Sequence, residues 1–480
     1  VHLMKQLFIL TICLITVVPL FAQKGYDIRV RLKPYKNTWV YLGYYYGKIR
    51  ALADSTLLSD SSTGHFKGNE ALKGGIYFVV SPSRQVLFEM LVDKDQHFSV
   101  SADTMNLPFS VQFAGSPENR QFQDYSSFAG NTGKKIGLLG QEIAAAKTHK
   151  DSALLSAHTK LLTGKLQNYR DSITKKSPGS FLSALFMAMG EPKIPPASKQ
   201  PEGRYDSNYV YHYFKEHYWD GISFMDDRLV RTPFFEPRLE KYYANLVAPN
   251  ADSLIKETDN MLLQSRSAKE MYQYLMVYFV QQYINPVYMG QDAVFVHLFE
   301  KYINTGKAEF FTPQYKEFAT KRAYSMMANL IGQPAPQLDM VDTAGRPLPL
   351  YSLKGPFTVI CFWDPNCSHC KEIVPKVDSI YKAKWKAGGV QLYGVKVDGT
   401  QEEWVKFIEN HHLSGWNHVY QQKVKEEEET REKRAGFRQL YDVYQTPLLY
   451  LLDSDKRIIA KKLGYLQIDE VIKAKMQAFK

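Results

Sequence analysis

Of the four cysteines in this 480-residue chain, two stand three positions apart, Cys367 and Cys370, with Ser368 and His369 between them. A pair so spaced can close a disulfide on itself, so one sulfur can attack a substrate disulfide and the other can resolve the mixed disulfide that forms. The thiolate is the reacting species, and a thiol at a helix N-terminus is stabilised as the anion. The flanking residues predict that setting. Phe357 to Trp363 is an apolar run, Asp364-Pro365-Asn366 breaks it, and a helical pattern begins directly after Cys367.

Metal binding is the competing use of paired cysteines. It needs a second ligand pair at suitable spacing, and neither Cys361 on the apolar run nor scattered histidines such as His212 and His217 supply one. No metal and no other cofactor is expected.

What a dithiol does depends on its compartment. From Met4, Lys5 precedes an apolar run from Leu7 to Leu20 that ends in Phe21-Ala22-Gln23. The run is short for a membrane span and has no polar stop-transfer flank, so residues 1–22 read as a secretory signal cleaved after Ala22. Cleavage removes Cys13 and leaves Cys361, Cys367 and Cys370. Three thiols in a long exported chain do not make a disulfide scaffold, so the fold must rest on hydrophobic cores. The expected location is periplasmic, with membrane association left open. The chain carries 60 Lys+Arg against 49 Asp+Glu, a formal +11, which loss of Lys5 lowers by one. Nucleic-acid binding calls for clustered basic surface on an unexported chain and is set aside. The charge suits acidic partners or a membrane surface.

Three zones must position the dithiol. Residues 23–114 alternate apolar and polar side chains, as in Ile28, Val30 and Leu32 against Asp27, Arg29 and Arg31, and predict an antiparallel β domain. The Tyr44-Tyr45-Tyr46 cluster reads as half-buried strand packing. At Ser116-Pro117 the period changes, with Ser116 as a helix N-cap, and residues 115–330 read as an all-helical domain. There Leu154, His158, Leu161 and Leu162 share one face, as do Phe295, Leu298, Phe299 and Tyr302. Residues 331–480 alternate strand and helix, with strands at Phe357–Trp363, Val390–Val397, Leu448–Leu452 and Ile458–Leu463. That alternation predicts a mixed sheet flanked by helices, with the dithiol at the C-terminal end of a strand, where open α/β folds place their sites. The fold class is therefore multidomain: β, then all-α, then α/β.

The ordered set Gly332-Gln-Pro-Ala-Pro336, Leu350-Tyr-Ser-Leu-Lys-Gly355, Phe362-Trp363, Cys-x-x-Cys, Pro375, Thr446-Pro447 and Gly464 resembles the thioredoxin superfamily, specifically its exported TlpA/ResA-like thiol-disulfide oxidoreductases. The two preceding domains look like the uncharacterised N-terminal regions of such proteins in Bacteroidetes. The resemblance implies a redox-active centre in which Cys367 is the exposed nucleophile and Cys370 the buried resolving thiol. It implies that Pro375 kinks the helix, and that Thr446-Pro447 is a cis-proline loop which, with Trp363, faces an extended substrate. Thiol-disulfide exchange with protein substrates follows, with a membrane-borne thiol reductant as electron donor and roles in redox homeostasis akin to cytochrome c maturation.

Three departures bear on mechanism. Where thioredoxin has a buried Asp, this chain has Cys361, read as an inert core thiol. Asn366 replaces the family's usual Trp before the nucleophile, and Ser368-His369 replaces Gly-Pro. A His369 imidazole beside the thiolate makes the disulfide more oxidising, as in DsbA-like sites, so an oxidising or isomerising variant stays open beside the reductase. Glu372 and Asp398 are candidate proton-transfer carboxylates, each read more simply as solvated. The run 423–434, with Glu426 to Glu429, reads as an exposed helical insertion. A peroxidase of the Pro-x-x-x-Thr-x-x-Cys kind needs Pro at Ile360 and Thr or Ser at Asp364, and lacks both. The rival class is a binding or scaffold protein whose N-terminal domains carry the function. Oligomeric state is not legible.

Overall fold

A computed structural model describes residues 25–478, in two compact units that divide between Glu240 and Lys241. The expected signal sequence, with Cys13, lies outside the described residues.

The first unit opens with eight strands: β1 (Tyr26–Lys33), β2 (Trp39–Tyr46), β3 (Ile49–Leu57), β4 (Thr63–Gly68), β5 (Gly75–Val80), β6 (Val86–Val92), β7 (His97–Asp103) and β8 (Gln112–Ala114). They form two four-stranded sheets, in the orders β4-β1-β7-β8 and β3-β2-β5-β6. Pairing is antiparallel except between β1 and β7, which run parallel, a departure from the antiparallel expectation that alternation alone could not reveal. The period-two pattern buries Ile28, Val30 and Leu32 against Val40, Leu42, Val79 and Met90, leaving the intervening charges outward. Beyond residue 115 the chain is helical, starting at Pro117–Ala145, where the Ser116 hydroxyl caps Asn119 N–H and Pro117 takes the first turn. The helix His149–Lys176 buries only Leu162 of its expected apolar face; Leu154 and Leu161 are exposed, so that stripe does not face a core.

The second unit contains the helices Ala251–Ser265, Lys269–Tyr283, Asp292–Leu298 and Pro313–Met327. A π turn, Phe299–Ile303, continues the third of these, and Phe295, Leu298, Phe299 and Tyr302 are buried along it. A six-stranded sheet follows, built from β9 (Val341–Asp342), β10 (Thr358–Trp363), β11 (Gln391–Lys396), β12 (Asn417–Tyr420), β13 (Leu448–Leu452) and β14 (Ile458–Lys461), in the order β14-β13-β10-β11-β12-β9. β10, β11 and β12 are parallel; β13, β14 and β9 run against their neighbours. β9 and β12 are too short for the periodicity to announce them. β10 is buried on both faces, as central strands flanked by helices are. Val359, Cys361 and Trp363 enter one core with Cys370, Val374 and Trp404, while Ile360 and Phe362 enter the other with Tyr393, Tyr441 and Tyr450.

Candidate active site

β10 delivers the chain to Asp364 at its C-terminal end, and the turn 364–367 feeds the helix Ser368–Ile380. Within that turn Cys367 N–H donates to Asp364 C=O at 3.3 Å, and Asn366 N–H to Asp364 Oδ1 at 2.8 Å. Cys367 becomes the N-cap of the helix, so its sulfur lies where unpaired N–H groups favour an anion. One helical turn places Cys370 inward, fully buried, while Cys367 is half-buried and Ser368 and His369 are exposed. Pro375 sits inside the helix, where its missing N–H leaves the Lys371 carbonyl without its intrahelical partner.

The two sulfurs meet different surroundings. Burial works against ionising Cys367, but hydrogen bonds from the Thr446 side chain and from the Cys370 and His369 backbone N–H groups outweigh it, holding this thiol below its ordinary range. As a thiol, Cys367 Sγ donates to the Thr446 carbonyl at 3.3 Å. Cys370 is pushed up to about 12, chiefly by burial, against the Asp364 N–H that approaches its sulfur at 3.5 Å and the Thr446 side chain. Cys361 is raised further, by burial and then by the charge of Cys370. All three are free thiols in this structure. The arrangement offers one more readily ionised sulfur near the surface and one protonated thiol beneath it, the order in which attack and resolution use them.

Thr446 and Pro447 come from the loop before β13, whose pairing with β10 brings them across the sheet to the dithiol. The Thr446–Pro447 peptide is cis. Trp363 does not fit its expected place among the substrate contacts. Its side chain is fully buried, its ring 5.1 Å from that of Phe407, so it supports the site from beneath and cannot touch a substrate. His369 contributes its backbone N–H to Cys367 while its ring stands exposed. Glu372 is paired with Lys376 at 2.6 Å, and Asp398 with Arg438 at 2.6 Å, both at the surface. No three His, Cys, Asp or Glu side chains gather as a metal set among the described residues.

A second loop, not singled out by its sequence, shapes the rim. Gly399, at φ +84°, lets the chain turn against the 364–367 segment, and a Cβ there would lie 2.9 Å from Pro365 Cγ. Thr400 and Glu403 then form a capping box for the helix Gln401–Asn410, and Glu403 Oε2 also accepts from Asn366 Nδ2 at 3.1 Å. The Thr400-x-x-Glu403 spacing was the available signal for this loop. Lys396, at the end of β11, donates to Gly399 C=O at 2.6 Å, and burial lowers its pKa.

Comparison with known proteins matches residues 331–467 to the AhpC/TSA family and residues 155–319 to a domain of unknown function (DUF5106). The methylamine utilization protein MauD of Paracoccus versutus is 33% identical over 89 residues, 18% of this chain and 43% of that protein. Its counterpart from Methylobacillus flagellatus is 30% identical over 135 residues, 28% of this chain and 57% of that one. The chain thus spans about half the length of these relatives. Among solved structures, a domain of a possible thiol-disulfide isomerase from Cytophaga hutchinsonii is 35% identical, with 31% of this chain and 95% of that chain covered at a TM-score of 0.28.

Proposed function

The C-terminal region is a thioredoxin-like domain of the thiol-disulfide oxidoreductase kind, and on that premise we propose that the chain is an exported reductase of protein disulfides acting through Cys367 and Cys370. The observation that carries the reading is the placement of the two sulfurs across one helical turn, Cys367 half-buried at the helix N-cap and Cys370 fully buried beneath it, where hydrogen bonds favour ionising the first and burial opposes ionising the second. The Cys367 thiolate attacks one sulfur of a substrate disulfide, forming a mixed disulfide and releasing the other sulfur as a thiolate. Cys370 gives its proton to that departing thiolate or to water and attacks Cys367 Sγ. The second substrate sulfur leaves as a thiolate, so the substrate disulfide has gained two electrons and Cys367 and Cys370 are left joined as a disulfide. A membrane-borne dithiol then returns two electrons and restores the pair. The Thr446–Pro447 loop lies against Cys367, where an extended substrate segment can meet its backbone.

Export is supported by the apolar run Leu7 to Leu20. Among the described residues no helix is long and apolar enough to cross a membrane. Reduction of insulin with dithiothreitol as donor tests the activity. Wild type should accelerate precipitation and Cys367→Ser should not; equal rates for the two would sink the proposal.

A further inference from the structure

The loop that carries Thr446 is held from outside the sheet. Asp442 begins this loop, with its side chain 1% exposed, and it faces two cations: Arg322 from the helix Pro313–Met327 and Lys462 just after β14. Arg322 is itself 9% exposed and is fixed on its other edges, Nε donating to Ile284 C=O at 3.2 Å and Nη2 to Asn285 Oδ1 at 3.2 Å. Its guanidinium also lies 5.4 Å from the ring centre of Tyr444, two residues before Thr446. Asp442 has φ +54°, a left-handed conformation that favours glycine and that Asp adopts where its short polar side chain is hydrogen-bonded. Here the carboxyl faces the two cations, whose hydrogen bonds outweigh burial and hold it below its ordinary range. Arg322 lies between the two family matches, 155–319 and 331–467, and belongs to neither.

We propose that Arg322 and Asp442 are positioning residues for the dithiol: the helix fixes Arg322, Arg322 fixes Asp442 and Tyr444, and these fix the loop that sets Thr446 against the Cys367 sulfur. The helices before residue 330 in this unit are then part of the redox machinery. The inference rests on Cys367 being the nucleophile but not on the direction of electron flow.

The test is the pH profile of Cys367 alkylation by iodoacetamide in the full chain on a Cys370→Ser background. Arg322→Met should raise the midpoint and lower the rate below it by up to about threefold, the limit set by complete loss of the Thr446 contact, where roughly tenfold less thiolate is partly offset by the greater nucleophilicity of a more basic sulfur. Arg322→Lys keeps the charge and should give a smaller shift in the same direction, which covers the case in which the Met variant fails to fold. Lys461→Met serves as the control. Lys461 is buried against Asp292, Asn329 Oδ1 and the Asn329 carbonyl, a second anchor between the helices and β14 that makes no hydrogen bond to Asp442, Tyr444 or Thr446. It should leave the midpoint in place. An unchanged midpoint in folded Arg322→Lys and Arg322→Met, or an equal shift in Lys461→Met, overturns the inference. If wild type fails to reduce insulin while the Arg322 shift is seen, the functional reading fails and the positioning role stands.

Discussion

Thr446→Val removes the one side-chain donor serving both reactive sulfurs while keeping the residue's shape and its carbonyl. A hydrogen bond to a charged group contributes about 1.5–3 kcal/mol. Cys367 is half-buried, so water replaces part of what is lost and the effect falls just under the low end, about 1.4 kcal/mol, a tenfold change in thiolate below the midpoint. The wild-type thiol lies below its ordinary range, so its thiolate is present at lower pH, and the substitution moves the midpoint up. At pH values below both midpoints the thiolate falls about tenfold, but the correspondingly more basic sulfur is about threefold more nucleophilic, by a Brønsted slope near 0.4–0.5. The iodoacetamide rate should therefore fall about threefold on the acid side and rise about threefold on the alkaline side, so that the two profiles cross. The remaining stabilisation comes from the Cys370 and His369 backbone N–H groups and the Cys370 thiol, and the helix start itself contributes about 0.3–1 kcal/mol. Coincident profiles in a folded variant would refute the reasoning and transfer the effect to the helix terminus.

Cys370→Ser should accumulate a mixed disulfide between Cys367 and substrate, visible by non-reducing electrophoresis; its absence would remove Cys370 from the resolving role. His369→Ala keeps the backbone N–H that serves Cys367 and removes only an exposed ring, so the reduction potential should move by less than about 30 mV; a larger change restores the ring to a tuning role. Asp442 is a depressed carboxylate, so its contribution to stability is complete above its unfolded value of about 3.9 and is lost as pH falls through its lower folded value. Asp442→Asn should cost about 3–5 kcal/mol at neutral pH by leaving buried Arg322 without its anion, and should flatten the acid limb of urea stability; an unchanged limb would show that the carboxylate is not ionised in the fold.

The dithiol was legible because its signals are local. An apolar run, a break at Asp364-Pro365-Asn366 and a helical pattern after Cys367 lie within twenty residues and dictate a strand, a turn and a capped helix. The same holds for Ser116-Pro117 at its helix start. Trp363 misled because an apolar residue at a strand end is equally compatible with core and rim, and only the position of Phe407 decides. The exposed Leu154 and Leu161 show that a periodic stripe specifies a face without specifying what covers it. Arg322 and Asp442 were out of reach: they are 120 residues apart and meet through tertiary packing. Neither residue type at its own position carries a signal.

Reduction of protein disulfides as proposed requires Cys367 and Cys370 to form a reversible couple. Equilibrating the full chain with defined glutathione or dithiothreitol buffers and counting free thiols at these two positions measures it directly. A reductase should show a two-electron transition closer to thioredoxin's value of about −270 mV than to the strong oxidant value of about −120 mV. A transition near the latter would reverse the direction of electron flow, and no reversible transition between Cys367 and Cys370 would contradict the account altogether.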